Sequence, residues 1–164
     1  MRNVLSILLA AMLLSACAVN NSRIDTAVTS CCAESSSRTF TVHAVNIPAF
    51  LGPLMVSNFS VAFANLGYQP METGGELDVE LRYEQTNLTA DVIRDDFEER
   101  IASGDAMRFI ARVVIEVREA STDQLLWSGH VQRLHDVGPG DYMHTGPASA
   151  AIFQSFEQVL KDYR

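Results

Sequence analysis

The segment from Glu76 to Gln85 constrains the fold most, because apolar and polar side chains alternate along its whole length. One set of positions is apolar: Leu77, Val79, Leu81 and Tyr83. The other set is charged: Glu76, Asp78, Glu80, Arg82 and Glu84. A period of two residues is that of a β-strand, whose successive side chains point to opposite faces of a sheet. The segment is therefore predicted to be a strand with one face on an apolar core and the other in water.

Three further segments alternate in the same way, namely Thr39–Val45, Arg108–Glu119 and Gln124–Leu134. Only the short turn Ala120–Asp123 separates the last two, so an antiparallel hairpin is predicted there. Gly129 interrupts the last of these segments. A glycine inside a strand indicates a bulge or a close approach by another part of the chain.

Two segments have the period of an amphipathic helix. Apolar residues recur every three or four positions from Leu51 to Leu66, and Gly67 then supplies a C-terminal stop. A second such pattern runs from Pro147, a residue that suits the first turn of a helix, to Tyr163. Both helices are expected to pack on the apolar face of the sheet.

The order of these elements predicts a single α+β domain over residues 39–164. It would contain a roughly four-stranded mixed sheet with both amphipathic helices on one face, in the order β-α-β-β-β-α. The first strand, first helix and second strand suit a right-handed crossover, which makes the two strands parallel.

The pattern does not decide the structure of residues 86–107. Ile93, Phe97 and Ile101 form a narrow apolar seam among acidic residues, which fits a short helix over residues 90–102 or an ordered excursion. The segment is either a partner-binding or lid element, or an acidic surface whose seam packs on its own domain.

The N-terminal residues have the pattern of a secretory signal. Arg2 is followed by an apolar run from Val4 to Leu14, which only Ser6 interrupts. As a helix this run covers roughly 16 Å at ~1.5 Å per residue, which is too short to span a bilayer core of about 30 Å. Residues 1–16 are therefore predicted to be a signal peptide.

The residues Leu13-Leu14-Ser15-Ala16-Cys17 resemble the lipobox of bacterial lipoproteins. The resemblance implies that Cys17 is diacylated on sulfur, that the leader is cleaved before it, and that the new amino group is acylated. Three chains, at ~0.8 kcal/mol per buried CH₂, hold a protein stably on a membrane, whereas one chain does so marginally. Ala18 in place of Asp implies the periplasmic face of the outer membrane. The alternative is an ordinary signal peptide followed by an accidental cysteine.

The charge balance excludes some partners. The chain has 12 basic and 20 acidic side chains and a formal net charge of −8. Nucleic acid is not an expected partner, since its phosphates would be repelled. The acidic chain also lacks a polybasic patch for anionic lipids, so membrane attachment depends on the acyl chains of Cys17.

Residues 17–38 are rich in small and polar side chains and are predicted to be a flexible tether. Cys31 and Cys32 are adjacent within it. A disulfide between neighbouring residues would be strained, because their Cα atoms lie only ~3.8 Å apart. The C-x-x-C spacing of redox and metal sites is missing. An intermolecular disulfide and idle or variably oxidised cysteines remain as alternatives.

Candidate ligand residues lie in and just before a loop predicted over residues 133–147. They are His130, His135, Asp136, Asp141 and His144. Imidazole and carboxylate groups can bind zinc or another divalent ion, but this spacing matches no closed site, and a solvated loop is the simpler interpretation. The sequence contains no serine-hydrolase elbow, P-loop, zinc-protease motif or dinucleotide-binding turn. We therefore predict a non-enzyme without a cofactor.

Four features occur in order over residues 39–164. They are a helix ending in Leu66-Gly67-Tyr68, a strand in which acidic and apolar residues alternate, a hairpin strand containing Leu126-Trp127-Ser128-Gly129, and a C-terminal amphipathic helix. In these the chain is similar to a family of bacterial lipoproteins built on a domain of unknown function. The resemblance implies an envelope lipoprotein with an α+β sandwich, and it implies no catalytic residues.

Three functions are compatible with these features. The first is a membrane-anchored, non-enzymatic accessory or adaptor of an envelope complex, with an envelope protein as its partner. The second is a lipid- or small-molecule-binding auxiliary of a transport system, with a groove between the helices and the sheet. The third is a metal-dependent hydrolase that uses the His/Asp loop over residues 130–144.

Overall fold

The computed structural model describes residues 24–31, 35–88, 107–137 and 145–163. The strands are β1 (Ile24–Ser30), β2 (Thr39–Val45), β3 (Gln69–Pro70), β4 (Leu77–Asn87), β5 (Met107–Glu119) and β6 (Leu125–Val137). The helices are α1 (Gly52–Ala64) and α2 (Thr145–Val159), and a short 3₁₀ helix, Leu160–Asp162, follows α2.

The six strands form one mixed sheet in the order β1-β6-β5-β4-β2-β3. β2 is parallel to β3 and to β4, and the other pairs are antiparallel. The α+β class, the parallel pair joined through α1 and the β5–β6 hairpin are confirmed. The prediction of four strands is wrong, because β1 and β3 add one strand at each edge.

β1 lies within the segment predicted to be a flexible tether, and that prediction is wrong for Ile24–Ser30. The strand pairs with β6, from Ile24 opposite Arg133 to Ser30 opposite Ser128. Its side chains are mostly small, polar and exposed, so composition alone resembles a linker. The order of this segment comes from backbone pairing at the sheet edge, which composition does not reveal.

The residues leading into β2 are also fixed to the domain. The hydroxyls of Ser35 and Ser37 donate hydrogen bonds to the two carboxylate oxygens of Glu119, at 2.9 and 3.0 Å. The backbone N–H of Arg38 donates to the Glu76 carboxylate at 2.8 Å. Backbone N–H groups that bond this carboxylate lower the pKa of Glu76. The tether prediction therefore fails at these residues too.

Two further sequence predictions concern the same region. Cys31, just after β1, is disulfide-bonded, so the idle state considered for it is wrong. Cys17 and the segment 90–102, whose helical character the sequence left open, lie outside the described residues.

The core lies between the sheet and the two helices, and aromatic rings fill it. The largest of these side chains are at most 1% exposed: Phe40, Phe59, Phe63, Trp127 and Phe156. Phe59 of α1 meets Phe156 of α2 edge to face, with ring centroids 5.4 Å apart. The amide of Asn58 donates to the hydroxyl of Ser149 at 3.1 Å, which also joins the helices. The prediction that both helices pack on one face is confirmed.

The helices are much shorter than the central strands. β5 and β6 have 13 residues each, or about 43 Å at ~3.3 Å per residue. α1 also has 13 residues but spans only about 20 Å at ~1.5 Å per residue. Among the described residues, the buried side chains of β5 run from Val113 to Val117. The helices therefore cover one half of the sheet.

The uncovered half is called the strand extension here, and it consists of residues 85–87, 107–111 and 133–137. The sequence predicted a loop from Arg133, but β6 continues to Val137, which pairs with Met107. The prediction is wrong because Met107–Ala111 of β5 offers a complete hydrogen-bonding edge to these residues.

Gly129 allows the close approach that the sequence predicted. A Cβ atom on this residue would lie 2.6 Å from Cη2 of Trp127 and 3.1 Å from the carbonyl oxygen of Ala27. The Trp127 ring therefore lies against the bare backbone of Gly129, and it is 1% exposed.

We expect Gly129→Ala to lower the free energy of unfolding by about 1–3 kcal/mol, the usual cost of overpacking a filled core. Urea denaturation followed by Trp127 fluorescence measures the change. Gly52→Ala is the matched control, because its added methyl group meets no atom within 4 Å. Equal stability of the two variants would contradict the packing described here.

Candidate functional site

The strand geometry of β6 separates the residues that the sequence grouped as metal ligands. His130 and Asp136 lie at even positions and His135 at an odd one, so they lie on opposite faces of the sheet. Asp141 and His144 lie outside the described residues. Within the described ranges, no three His, Cys, Asp or Glu side chains are grouped so that they could hold a metal ion.

His135 and Asp136 have other neighbours in the strand extension. The His135 ring stacks on Phe109, with centroids 4.8 Å apart and planes 9° from parallel. Burial, followed by the charge of Arg133, lowers the pKa of His135. Asp136 is exposed and forms an ion pair with Arg108 at 2.9 Å. Both residues have structural neighbours that account for their positions.

His130 lies on the open face, which is the sheet face opposite the helices. Its Nδ1 is 3.2 Å from Nη2 of Arg112, whose Nη1 is 3.9 Å from the Glu84 carboxylate. Partial burial and then the charge of Arg112 lower the pKa of His130. The geometry fits a neutral imidazole whose Nδ1 accepts a hydrogen bond from the guanidinium group.

A second charged group on the open face, called the charge ladder here, crosses β4 and β5. Its members are Asp78, Glu80, Arg82, Glu116 and Arg118. Strand register places Asp78 opposite Arg118 but Glu80 directly opposite Glu116. Two opposed carboxylates repel each other unless cations lie beside them.

Two arginines of the ladder supply those cations. Arg82 contacts Glu80 at 2.8 Å and Glu116 at 3.5 Å. Arg118 contacts Glu116 at 2.9 Å and the Asp123 carboxylate at 3.6 Å. Hydrogen bonds from these guanidinium groups to Glu80 and Glu116 raise the pKa of both arginines. The charges are thus held in fixed positions by one another.

The ladder lines an open cleft of about 470 Å³ together with His43 and Asp123. His43 is exposed, and its Nε2 lies 3.5 Å from Asp78. Four carboxylates and two guanidinium groups border the cleft. It therefore has two excess negative charges when His43 is neutral. Such a surface suits a cationic or basic group rather than an anion.

The helix layer has the opposite character. α1 contains no charged residue, and α2 contains one, Glu157. Phe50, just before α1, is 70% exposed, and Val61 on α1 is 51% exposed. The domain therefore has a charged sheet face and a nearly uncharged helix face. The sequence indicates the charged sheet face, because charged residues alternate with apolar ones along β4. Only the strand register shows which of these charges lie opposite each other.

Comparisons with known proteins give the fold but no family. No protein-family model matches the chain, and no curated protein matches its sequence. A PelC dodecamer structure from Paraburkholderia phytofirmans is similar at a TM-score of 0.50 and 11% identity, covering 86% of this chain and 99% of that one. A PDZ domain protein from Parabacteroides distasonis is similar at a TM-score of 0.50 and 13% identity, covering 87% and 36%.

Bacterial lipoproteins are also among the similar solved structures. One is a minor lipoprotein from Acinetobacter baumannii, with a TM-score of 0.41 and 6% identity, covering 75% of this chain and 84% of that one. At identities of this size the likeness concerns the fold alone. In the part of the chain that the structure describes, no helix is long and apolar enough to cross a bilayer.

We expect the protein to lose stability as the pH falls below the ordinary histidine pKa of 6.5. The folded state lowers the pKa values of His130 and His135, so the unfolded chain binds protons more readily in that range. The contribution of the two neutral histidines to the free energy of unfolding is fully present above this pH. It declines as the pH falls, until the pH is below their pKa values in the folded state.

His130→Gln tests this contribution, because glutamine retains an acceptor for Arg112 but does not titrate. Its free energy of unfolding, measured by urea denaturation at several pH values, should decline less between pH 7 and acidic pH than that of the unsubstituted protein. His43→Gln, on the exposed part of the same face, is the control and should retain the full decline. An unchanged decline in His130→Gln would contradict the assignment.

Proposed function

We propose that the protein is an envelope lipoprotein, anchored through acyl chains on Cys17, and that its domain is a non-enzymatic accessory or adaptor of an envelope complex. The proposed location is the periplasmic face of the outer membrane. The lipobox-like residues Leu13–Cys17 support the anchor. The likeness of fold to PelC is compatible with the proposal but does not decide it.

The observation that carries the adaptor role is the contrast between a filled interior and an ordered, charged open face. The space between helices and sheet, where a lipid groove would lie, is occupied by the aromatic core. On the open face, arginines and carboxylates are held in place by their mutual contacts. Arginine is enriched at protein interfaces, and a pre-ordered surface loses less entropy on binding.

The charge of the cleft indicates the chemistry of the partner. Arg82 and Arg118 already contact carboxylates of their own domain, so the unsatisfied charge is negative. We therefore propose a protein partner that presents basic side chains to this face. Charge complementarity of this kind contributes mainly to specificity and to the rate of association. Because PelC is named as a dodecamer, further copies of the chain are one form that the partner can take.

The other two functions have less support. The groove of a small-molecule carrier would have to form where Phe59, Phe63 and Trp127 are now buried. The hydrolase would have to gather His130 and His135 from opposite faces of one strand.

We expect Cys17→Ser to remove the acyl chains and to move the protein from the membrane fraction to the soluble fraction. Mass spectrometry of the N-terminal peptide measures the acyl groups, and fractionation of cells measures the location. Cys31→Ser is the control and should remain acylated and membrane-bound. Membrane retention of Cys17→Ser at the level of the unsubstituted protein would refute the anchor.

We expect Asp78→Asn combined with Asp123→Asn to weaken partner recovery about tenfold in cross-linked, detergent-solubilised envelopes. Each exposed charge contributes roughly 0.2–1 kcal/mol, and tenfold corresponds to about 1.4 kcal/mol. The matched control is Glu72→Gln combined with Glu157→Gln, which removes two exposed carboxylates that do not line the cleft. Equal loss in both double variants would contradict a role for the open face.

A further inference from the structure

One edge of the sheet is open along most of β2. β3 pairs with β2 only at Thr39 and Phe40. The backbone N–H of Met71 then donates to the carbonyl oxygen of Phe40 at 2.8 Å, where the chain leaves this edge. β2 itself continues to Val45. Among the described residues, no strand pairs with residues 41–45 on this side.

The path of the chain explains why β3 is so short. β3 and β4 lie on opposite sides of β2 and run parallel to it, so residues 71–76 must cross β2 to join them. The crossing is close. The N–H of Gly75 donates to Oγ1 of Thr41 at 2.9 Å, and a Cβ atom on Gly75 would lie 2.5 Å from the carbonyl carbon of Phe40. β3 therefore ends where the crossing begins, and the edge of β2 beyond Phe40 stays open.

The alternation of the strand shows which backbone groups point away from the sheet at this edge. The Phe40 carbonyl accepts its hydrogen bond from Met71, so it points to the β3 side. Every second residue of a strand directs its N–H and C=O groups to the same side. Val42 and Ala44 therefore point theirs outward, and Ala44 is exposed. These groups can pair with a further strand.

This part of β2 lacks the features that usually protect a sheet edge. Such features include proline, lysine and β-bulges. β3 contains Pro70, and β1 at the opposite edge has a register shift between Val28 and Ser30. Residues 41–45 include neither proline nor lysine, and their register with β4 is continuous. An extended peptide segment can add to an edge of this kind as a new strand.

The charge beside this edge indicates which kind of segment fits. His43 and Asp78 border the cleft that the charge ladder lines, and Nε2 of His43 lies 3.5 Å from the Asp78 carboxylate. Side chains of an added strand would lie beside His43 on the open face, at a strand spacing of roughly 4.8 Å. They would therefore meet the cleft from its side. Because the cleft has two excess negative charges, basic side chains fit there.

A second copy of the chain is a poor match for this edge. β1 is the strand at the other edge of the sheet, so it is the strand that a second copy could offer. It contains Asp25 and no basic residue. An added β1 would thus bring a further negative charge towards an acidic cleft. We infer that the segment comes from a different protein.

We propose that residues 41–45 of β2 bind an extended segment of the partner protein, with basic side chains at every second position, as a further strand of the sheet. The basic side chains lie on the open face beside His43 and Asp78. The alternate side chains are small and apolar and lie on the helix side, beside Val42 and Ala44. This inference rests on the proposed adaptor function and adds how the partner is recognised. Backbone hydrogen bonds contribute affinity, and the alternate side chains contribute specificity.

Binding of a defined peptide tests this edge. The probe is a short fluorescein-labelled peptide of alternating arginine and valine, and anisotropy measures its Kd for the full-length protein in detergent. Ala44→Pro removes the outward N–H and places a ring where the new strand would pair, and proline is tolerated at edges. We expect its Kd to rise about tenfold, which corresponds to about 1.4 kcal/mol. Ala44→Val keeps the N–H and is the matched control, with an unchanged Kd.

Two changes to the peptide make the test independent of any effect of proline on folding. The same peptide with methylated backbone nitrogens keeps its charge but cannot donate to β2. It should bind the unsubstituted protein about tenfold more weakly. A peptide with glutamate in place of arginine keeps its tendency to form strands but should show no measurable binding. If Ala44→Pro unfolds at a lower temperature than Ala44→Val, the methylated peptide is the deciding probe.

The contrary outcomes are distinct from one another. Equal binding of the methylated and unmethylated peptides would overturn strand addition, because the arginines would then bind by charge alone. Equal binding of the arginine and glutamate peptides would overturn the charge assignment. Either result would leave the adaptor proposal standing, since that proposal is tested by partner recovery from envelopes. Peptide binding at this edge together with unchanged recovery in the variant with Asp78→Asn and Asp123→Asn would instead contradict the proposed role of the cleft.

Discussion

Burial of one face of the sheet under two helices is the constraint on which the structure depends. In the covered half of β4 and β5, alternate side chains from Leu77 to Leu81 and from Val113 to Val117 enter the core, and most of the residues between them are charged. A shift of one residue in the pairing would expose Leu81 and Ile115 and bury Glu80 and Glu116. The same alternation therefore stabilises the core, fixes the register and assembles the charge ladder on the open face.

Helix length then divides the sheet into a covered and an uncovered half. Strands rise about twice as far per residue as helices, so α1 and α2 cannot cover strands of 13 residues. The covered half contains the core around Trp127. The uncovered half contains the stacked Phe109 and His135 and the ion pair of Arg108 with Asp136. The charge ladder lies on the open face of the covered half, so the proposed partner surface is backed by the filled core.

The elements with strong periodicity could be predicted from the sequence, and those held by backbone pairing could not. β4 and α1 were found within two residues of their ends because burial imposes a pattern on their side chains. β1 has small, exposed side chains, so its order depends on hydrogen bonds to β6 that leave no mark on composition. Gly75 is similar: a Cβ there would lie 2.5 Å from the backbone of Phe40, and nothing nearby in the sequence indicates this contact.

The candidate site was predicted less well, and for a related reason. His130, His135 and Asp136 are close in the sequence, but a strand sends odd and even positions to opposite faces. The charge ladder joins β4 and β5, which are consecutive strands separated by residues 88–106, and the register between them decides which of their charges lie opposite each other. Its arginines and acids were visible as the polar positions of two strands. The sequence does not show which of these charges are paired, because that depends on how β4 and β5 are aligned in the sheet.

The account depends most on β1 as part of the sheet, because that strand makes residues with the composition of a linker into one edge of the folded domain. Hydrogen exchange of the full-length protein, measured by mass spectrometry on peptides covering residues 24–30, tests it directly. We predict that the amides paired with β6 are protected for much longer than those of an unstructured peptide. Exchange of all these amides at the rate of an unstructured chain would contradict the account.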